Sequence, residues 1–167
     1  YTVLKAFKEK DPNGNGEADE IPMSGVGFEN TAHGIGNLLW MFGTTYDFYQ
    51  EDGKVKYGVM EDNFVEGLEY ITKLYSEGLI DQDYLLNDRE KMDGKAMNNK
   101  VGFVYSLQPG KYYTAMHADG RKVSGIPHPA NDGVKNNVFD PSYIQDACGT
   151  SIAVTTANKN PSGSLKW

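Results

Sequence analysis

Cysteine is almost absent: Cys148 stands alone in a chain of 167 residues. One thiol excludes an intramolecular disulfide framework and a thiolate metal centre. Long apolar runs are missing too. No stretch approaches the roughly 20 apolar residues that cross a bilayer, and no signal peptide opens the chain. Basic residues are outnumbered, 16 Lys and Arg against 23 Asp and Glu, which gives a formal charge of −7. That balance argues against nucleic acid as a partner, because neutralising phosphates takes clustered Lys and Arg. It also argues against a polybasic membrane-binding surface. Histidines number three, His33, His117 and His128, far apart in sequence. None forms a His-x-x-x-His pair, and no Ser has a Gly-x-Ser-x-Gly setting.

What the chain has is tyrosine and glycine, 11 and 19 residues respectively. An acidic, Tyr-rich chain of this kind is compatible with sugar binding, in which rings stack on apolar sugar faces. The plainer reading is that Tyr and Gly fill strands and turns.

Hydrophobic periodicity outlines alternating helices and short strands, an α/β pattern. Val3, Leu4 and Phe7 recur at helical spacing. Residues 35–42 read as a short apolar helix stopped by Gly43. Asp52-Gly53 between two β-favouring runs predicts a hairpin. Residues 61–77 form the clearest helix, with Phe64, Val65, Leu68, Ile71, Leu74 and Tyr75 as one stripe and Gly78 as its stop. Asn87 with Glu90 resembles a capping box for a helix running to about Asn98. Val101–Tyr105 reads as a buried strand, residues 106–147 as loop-rich, and Ser151–Thr156 as a last strand. Asn160 before Pro161 looks like the start of a helix. Both ends read as cut, so residues 1–167 are expected to be a single α/β lobe excised from a longer protein.

The sharpest motif is Asp11-Pro12-Asn13-Gly14-Asn15-Gly16-Glu17-Ala18-Asp19-Glu20. Oxygen-bearing side chains alternate and Gly is sixth, as in the first part of a calcium loop of EF-hand type. Asp11, Asn13, Asn15 and Asp19 would supply side-chain oxygens, and Glu17 its backbone carbonyl. The twelfth position is Pro22, which cannot coordinate, so Glu20 is the substitute carboxylate. The competing reading is a plain surface turn. With Pro22 and Gly25 following directly, no exiting helix is expected. The ion would be structural Ca2+, pinning the chain where helix passes to strand.

These residues, taken in order, resemble the extracellular solute-binding proteins of bacterial carbohydrate ABC transporters, in their alginate- and oligosaccharide-binding lipoprotein branch. The resemblance runs through Val3-Leu4-Lys5-Ala6-Phe7, the acidic loop to Ile21-Pro22, and Asp52-Gly53-Lys54-Val55 with Tyr57. It continues through Tyr70-Ile71, Leu74-Tyr75-Ser76-Glu77-Gly78-Leu79-Ile80-Asp81 and Asn99-Lys100-Val101-Gly102-Phe103, where Asn99 replaces the usual Gly. It closes on Thr155-Thr156 to Asn160-Pro161. The resemblance implies a type II periplasmic-binding-protein-like fold of two lobes with the sugar in the cleft between them, this chain being mostly the second lobe. It implies a calcium loop ligated by Asp11, Asn13, Asn15, Glu17, Asp19 and Glu20. It also implies ABC permease subunits as partners, and a cell-surface or periplasmic setting with any lipid anchor on an N-terminal part outside this chain.

Tyr105 is the first candidate sugar-stacking residue. It ends a strand, where open α/β sheets present ligands, and the family tends to place an aromatic there. Tyr112, Tyr113 and Tyr143, all read as loop residues, are further candidates, and Trp40 is either a sugar platform or core. Asp140 and Asp146 could bind sugar hydroxyls or be solvated turns. The expected function is non-catalytic sugar binding for import. The alternatives are a calcium-stabilised adhesion or carbohydrate-binding module, or a glycoside hydrolase. The last needs two carboxylates about 5 to 9.5 Å apart, and no pair stands in a recognisable setting.

Overall fold

Met23 occupies the middle of a small parallel sheet and is almost wholly buried. In the computed structural model, which describes residues 1–30, 32–106, 110–118, 120–134 and 158–160, strand β1 (Ile21–Ser24) carries it. A helix α1 (Thr2–Glu9) precedes β1. The hairpin is formed by β2 (Phe48–Glu51) and β3 (Lys54–Tyr57). Helix α2 (Asp62–Ser76), helix α3 (Arg89–Met97), strand β4 (Val101–Val104) and helix α4 (Gly110–Ala118) follow. β1 pairs in parallel with β4, in the register Ile21 to Val101 and Met23 to Phe103. On its other side Met23 bridges to Ile80. The sheet is therefore closed on both edges of β1, and β1 reads as apolar on consecutive positions, as a doubly covered parallel strand does.

Two apolar clusters flank this sheet. Met23, Ile35, Leu38, Leu39, Ile71, Leu74, Leu79 and Ile80 form the larger one. Met92, Ala96, Tyr112 and Met116 form the smaller, between α3 and α4. Residues Ile35–Phe42 make a 3-10 helix ending at Gly43, whose φ of 70° lets the chain turn left-handed. It packs on α2 where that helix carries Gly67: a Cβ there would stand 2.7 Å from Leu39 Cδ2. The apolar stripe of α2 therefore centres on Gly67, Ile71 and Leu74. Val65, expected in the stripe, is exposed, because the 3-10 helix docks on the Gly67 side. Gly78 ends the helix with φ of 66°. The hairpin turns at Asp52 and Gly53, both at positive φ, as a two-residue turn between twisted strands requires.

Two further expectations change. Asp88, not Asn87, caps α3, its carboxylate accepting the Lys91 N–H at 2.8 Å. Asn87 is turned inward and donates to Gly25 O and Asp81 Oδ2. Within the stretch expected to be loop, Gly110–Ala118 is helical. The expected strand Ser151–Thr156 and the helix from Pro161 lie outside the described residues.

Candidate functional site

The acidic segment after α1 curls on itself. Asp11, at φ 36°, accepts N–H groups of Gly14 and Asn15 on Oδ1 and of Gly16 on Oδ2, at 2.8 to 3.1 Å. Asn13 Oδ1 accepts from Asn15 N–H, and Asn15 Oδ1 from Glu17 N–H. Gly14 and Gly16 take φ of 72° and 80°, which lets so short a loop bring these oxygens inward. The carboxamides of Asn13 and Asn15 both donate to Asp19 Oδ1. Lys100 sits 2.7 Å from Asp19 Oδ2 and holds that carboxyl below its ordinary range. Asn13 also donates to Asn99 O, tying the loop to the start of β4. Glu20 Oε1 is buried without a hydrogen-bond partner. Among the described residues no three His, Cys, Asp or Glu side chains gather to hold a metal ion. The loop nevertheless supplies hard oxygen donors, two of them the carboxamides of Asn13 and Asn15, and one orphaned carboxylate oxygen, a set whose chemistry fits a hard cation.

At the other end of β4 lies an aromatic group. Tyr105 follows the strand directly and meets Trp40 of the 3-10 helix edge-on, with centroids 6.1 Å apart. His128 stacks on Tyr105 at 5.4 Å and leans on Trp40 at 5.3 Å. Phe103 supports Tyr105 from behind, edge to face at 5.3 Å. Trp40 is only partly covered, whereas its neighbours Leu38 and Leu39 are buried. Burial raises the Tyr105 phenol well above its ordinary value, so it stays protonated as a hydrogen-bonding hydroxyl.

The backbone of Tyr105 is fixed by a partly buried relay. His33 Nδ1 lies 2.9 Å from Tyr105 O, and Arg89 Nη1 contacts His33 Nε2. An arginine only donates and a carbonyl only accepts. His33 is therefore the Nδ1–H tautomer, accepting from Arg89 and donating to Tyr105. Arg89 Nε donates in turn to buried Asp93, which also accepts from Lys111 Nζ at 2.5 Å and from Tyr112 Oη. Burial would raise the Asp93 carboxyl, but these donors outweigh it and hold it low. This relay links the end of β4 to α3 and α4.

Of the residues singled out in the sequence, Trp40 and Tyr105 come together. Tyr112 is not in a loop. It lies on α4, 3% exposed, its ring packed in the smaller cluster and its hydroxyl committed to Asp93. Tyr113 also lies on α4 rather than in a loop. Tyr143, Asp140 and Asp146 fall outside the described residues. The isolated letters of His128 and His33 carry no signal for their place beside Tyr105. Only the tertiary fold brings positions 33, 40, 105 and 128 together.

No family model matches the chain. It is 31% identical, over 99% of its length, to the fructooligosaccharide ABC transporter substrate-binding protein FusA of Streptococcus pneumoniae, and covers 30% of that protein. It is 35% identical over 62% of its length to lipoprotein LipO of Bacillus subtilis, covering 21% of it. The chain thus spans about a third or less of the curated relatives it matches. Among solved structures, FusA in complex with kestose aligns with a TM-score of 0.57 and 37% identity, over 63% of this chain and 22% of that one. A FusA EF-hand mutant in complex with fructo-nystose aligns with the same TM-score and 35% identity. An extracellular solute-binding protein from Bifidobacterium longum subsp. infantis reaches a TM-score of 0.66 at 30% identity, over 83% of this chain and 31% of that one. In sequence and in fold, the chain is homologous to part of the substrate-binding proteins of ABC transporters.

Proposed function

We propose that this chain is one lobe of a non-catalytic, oligosaccharide-binding protein that delivers sugar to an ABC importer. The observation that carries the reading is the meeting of Trp40 and Tyr105 at the end of β4, in a chain homologous to transporter binding proteins. A partly covered indole edge-on to a phenol offers an apolar face and a hydroxyl, the two features a pyranose or furanose ring uses. The relatives' names point the same way: FusA is named for fructooligosaccharides and has been solved with kestose.

In the same reading the loop of Asp11, Asn13, Asn15, Glu17, Asp19 and Glu20 holds a structural Ca2+. The existence of an EF-hand mutant of FusA supports a loop of that kind in this relative. The ion's role would be to neutralise the crowded carboxylates and pin the loop between α1 and β1. The sugar and the ion therefore sit at opposite ends of β4. The permease subunits and a cell-surface or periplasmic setting follow from the reading, and LipO, a lipoprotein by name, fits it.

Incubation of the full-length protein with an array of neutral oligosaccharides tests this. Saturable binding with no shortening of any glycan supports the reading. Glycan cleavage would replace it with a hydrolase.

A further inference from the structure

His128 sits against the two aromatic residues of the proposed sugar platform, and its own hydrogen bonds determine what it can do there. Its Nδ1 lies 2.7 Å from Pro129 O. A carbonyl only accepts, so Nδ1 carries the proton. Burial disfavours the charged ring and pushes its pKa below the ordinary value. In the neutral ring Nε2 is then a bare acceptor. Tyr105 Oη lies 2.5 Å from that atom. Tyr105 must therefore donate its hydroxyl proton to His128. The backbone carbonyl of Asn37, 3.3 Å from Nε2, could accept only from the opposite tautomer; the much shorter contact of Nδ1 to Pro129 O, 2.7 Å, favours the proton on Nδ1. The segment bearing His128 is tied to the 3-10 helix by Asn131 N–H donating to Met41 O at 3.1 Å.

We infer that His128 is a positioning residue for sugar recognition: it takes the Tyr105 hydroxyl proton, so that Tyr105 faces the ligand as a hydrogen-bond acceptor. The inference rests on the sugar-binding reading of Trp40 and Tyr105. A phenol free to rotate offers either a proton or a lone pair. One whose proton is committed to His128 offers lone pairs alone. Such a group pairs with a sugar hydroxyl that donates, and penalises an analogue in which that hydroxyl is methylated or fluorinated. The ring stack of His128 on Tyr105 fixes the plane of the phenol at the same time.

Calorimetric titration of the full-length protein, with the tightest binder from the neutral oligosaccharide array, separates the possibilities. His128→Phe keeps a ring but removes the acceptor, and is expected to weaken binding about five-fold, the loss of one ordinary hydrogen bond. His128→Gln places an acceptor near the same point and is expected to recover most of that loss, which a purely packing role would not allow. In a Tyr105→Phe background His128→Phe is expected to change nothing further, since the hydroxyl it serves is gone. If Tyr105→Phe weakens binding while His128→Phe leaves it unchanged, or if the two losses simply add, the inference is overturned and the platform stands. If no oligosaccharide binds, or if Trp40→Ala and Tyr105→Phe both bind like the parent, the sugar reading itself fails and takes this inference with it.

Discussion

Asp81 Oδ2 lies 2.8 Å from the Lys95 ammonium, and the same oxygen accepts from Ser24 Oγ at 2.6 Å. With Asn87 donating at 2.9 Å, one buried carboxylate joins the end of β1, the segment after α2, and α3.

Removing the lysine leaves this carboxylate buried without its counter-charge. Lys95→Met is expected to destabilise the fold by about 3–5 kcal/mol, the usual cost of breaking a buried pair. Burial raises the Asp81 carboxyl, but Lys95, Ser24 and Asn87 more than offset it, so the folded-state value is lowered. Its stability contribution is therefore full above the ordinary carboxylate value of about 4 and lost as pH falls through the lower folded-state value. In Lys95→Met burial prevails and puts the folded-state value above the ordinary one, so the sign reverses: the variant is destabilised most at neutral pH, and its deficit against the parent shrinks as pH falls. Urea titrations of both proteins from neutral to acid pH check the direction.

Calcium should stabilise the acidic loop. At a calcium concentration 100 times its dissociation constant the gain is about 2.7 kcal/mol, or roughly 5–10 °C in melting temperature for a domain of this size. Asp11→Ala is expected to abolish that response and also to lower the chelated baseline, because Asp11 accepts three loop N–H groups. Glu20→Gln should reduce the response with little baseline cost, since Glu20 Oε1 has no partner to lose. Melting curves with calcium and with chelator measure both, and a parent curve identical in the two conditions would remove the ion.

Two glycines should respond in opposite directions to alanine. At Gly58 a Cβ would stand 1.8 Å from the Thr45 carbonyl oxygen, a backbone atom that cannot step aside. Gly58→Ala is expected to cost about 3 kcal/mol. At Gly94, inside α3, nothing lies within 4 Å of the added methyl. Gly94→Ala is expected to stabilise by up to about 1 kcal/mol. Denaturant midpoints of the two variants give the comparison.

Local chemistry was the legible part of this fold. Asp52-Gly53, Gly43 and Gly78 mark turns because each needs a positive φ that few residues tolerate. The helix over residues 62–76 shows in its periodicity, and the oxygen-rich loop shows in its alternation. Errors arise where distant partners override a local preference. Asn87 looks like a cap, but Asp81 and Gly25 claim its amide, and Asp88 takes over the cap. Helix α4 is obscured because Gly110, Tyr112, Tyr113 and Thr114 are weak helix formers, and its Tyr112 is held by Asp93 from α3. For the site, Tyr105 was legible as a strand end. Trp40 was ambiguous because the same letters suit core or platform. His128 and His33 were illegible, since each acts through a contact spanning more than twenty positions.

The central claim is that Trp40 and Tyr105 form the sugar-binding face. Its most direct test is titration calorimetry of the full-length protein and of Trp40→Ala, with circular dichroism to confirm that both are folded. The prediction is that the parent binds a neutral oligosaccharide and that Trp40→Ala loses about 2 kcal/mol, roughly thirty-fold in Kd. A folded Trp40→Ala that binds the same sugar with parental affinity would contradict it.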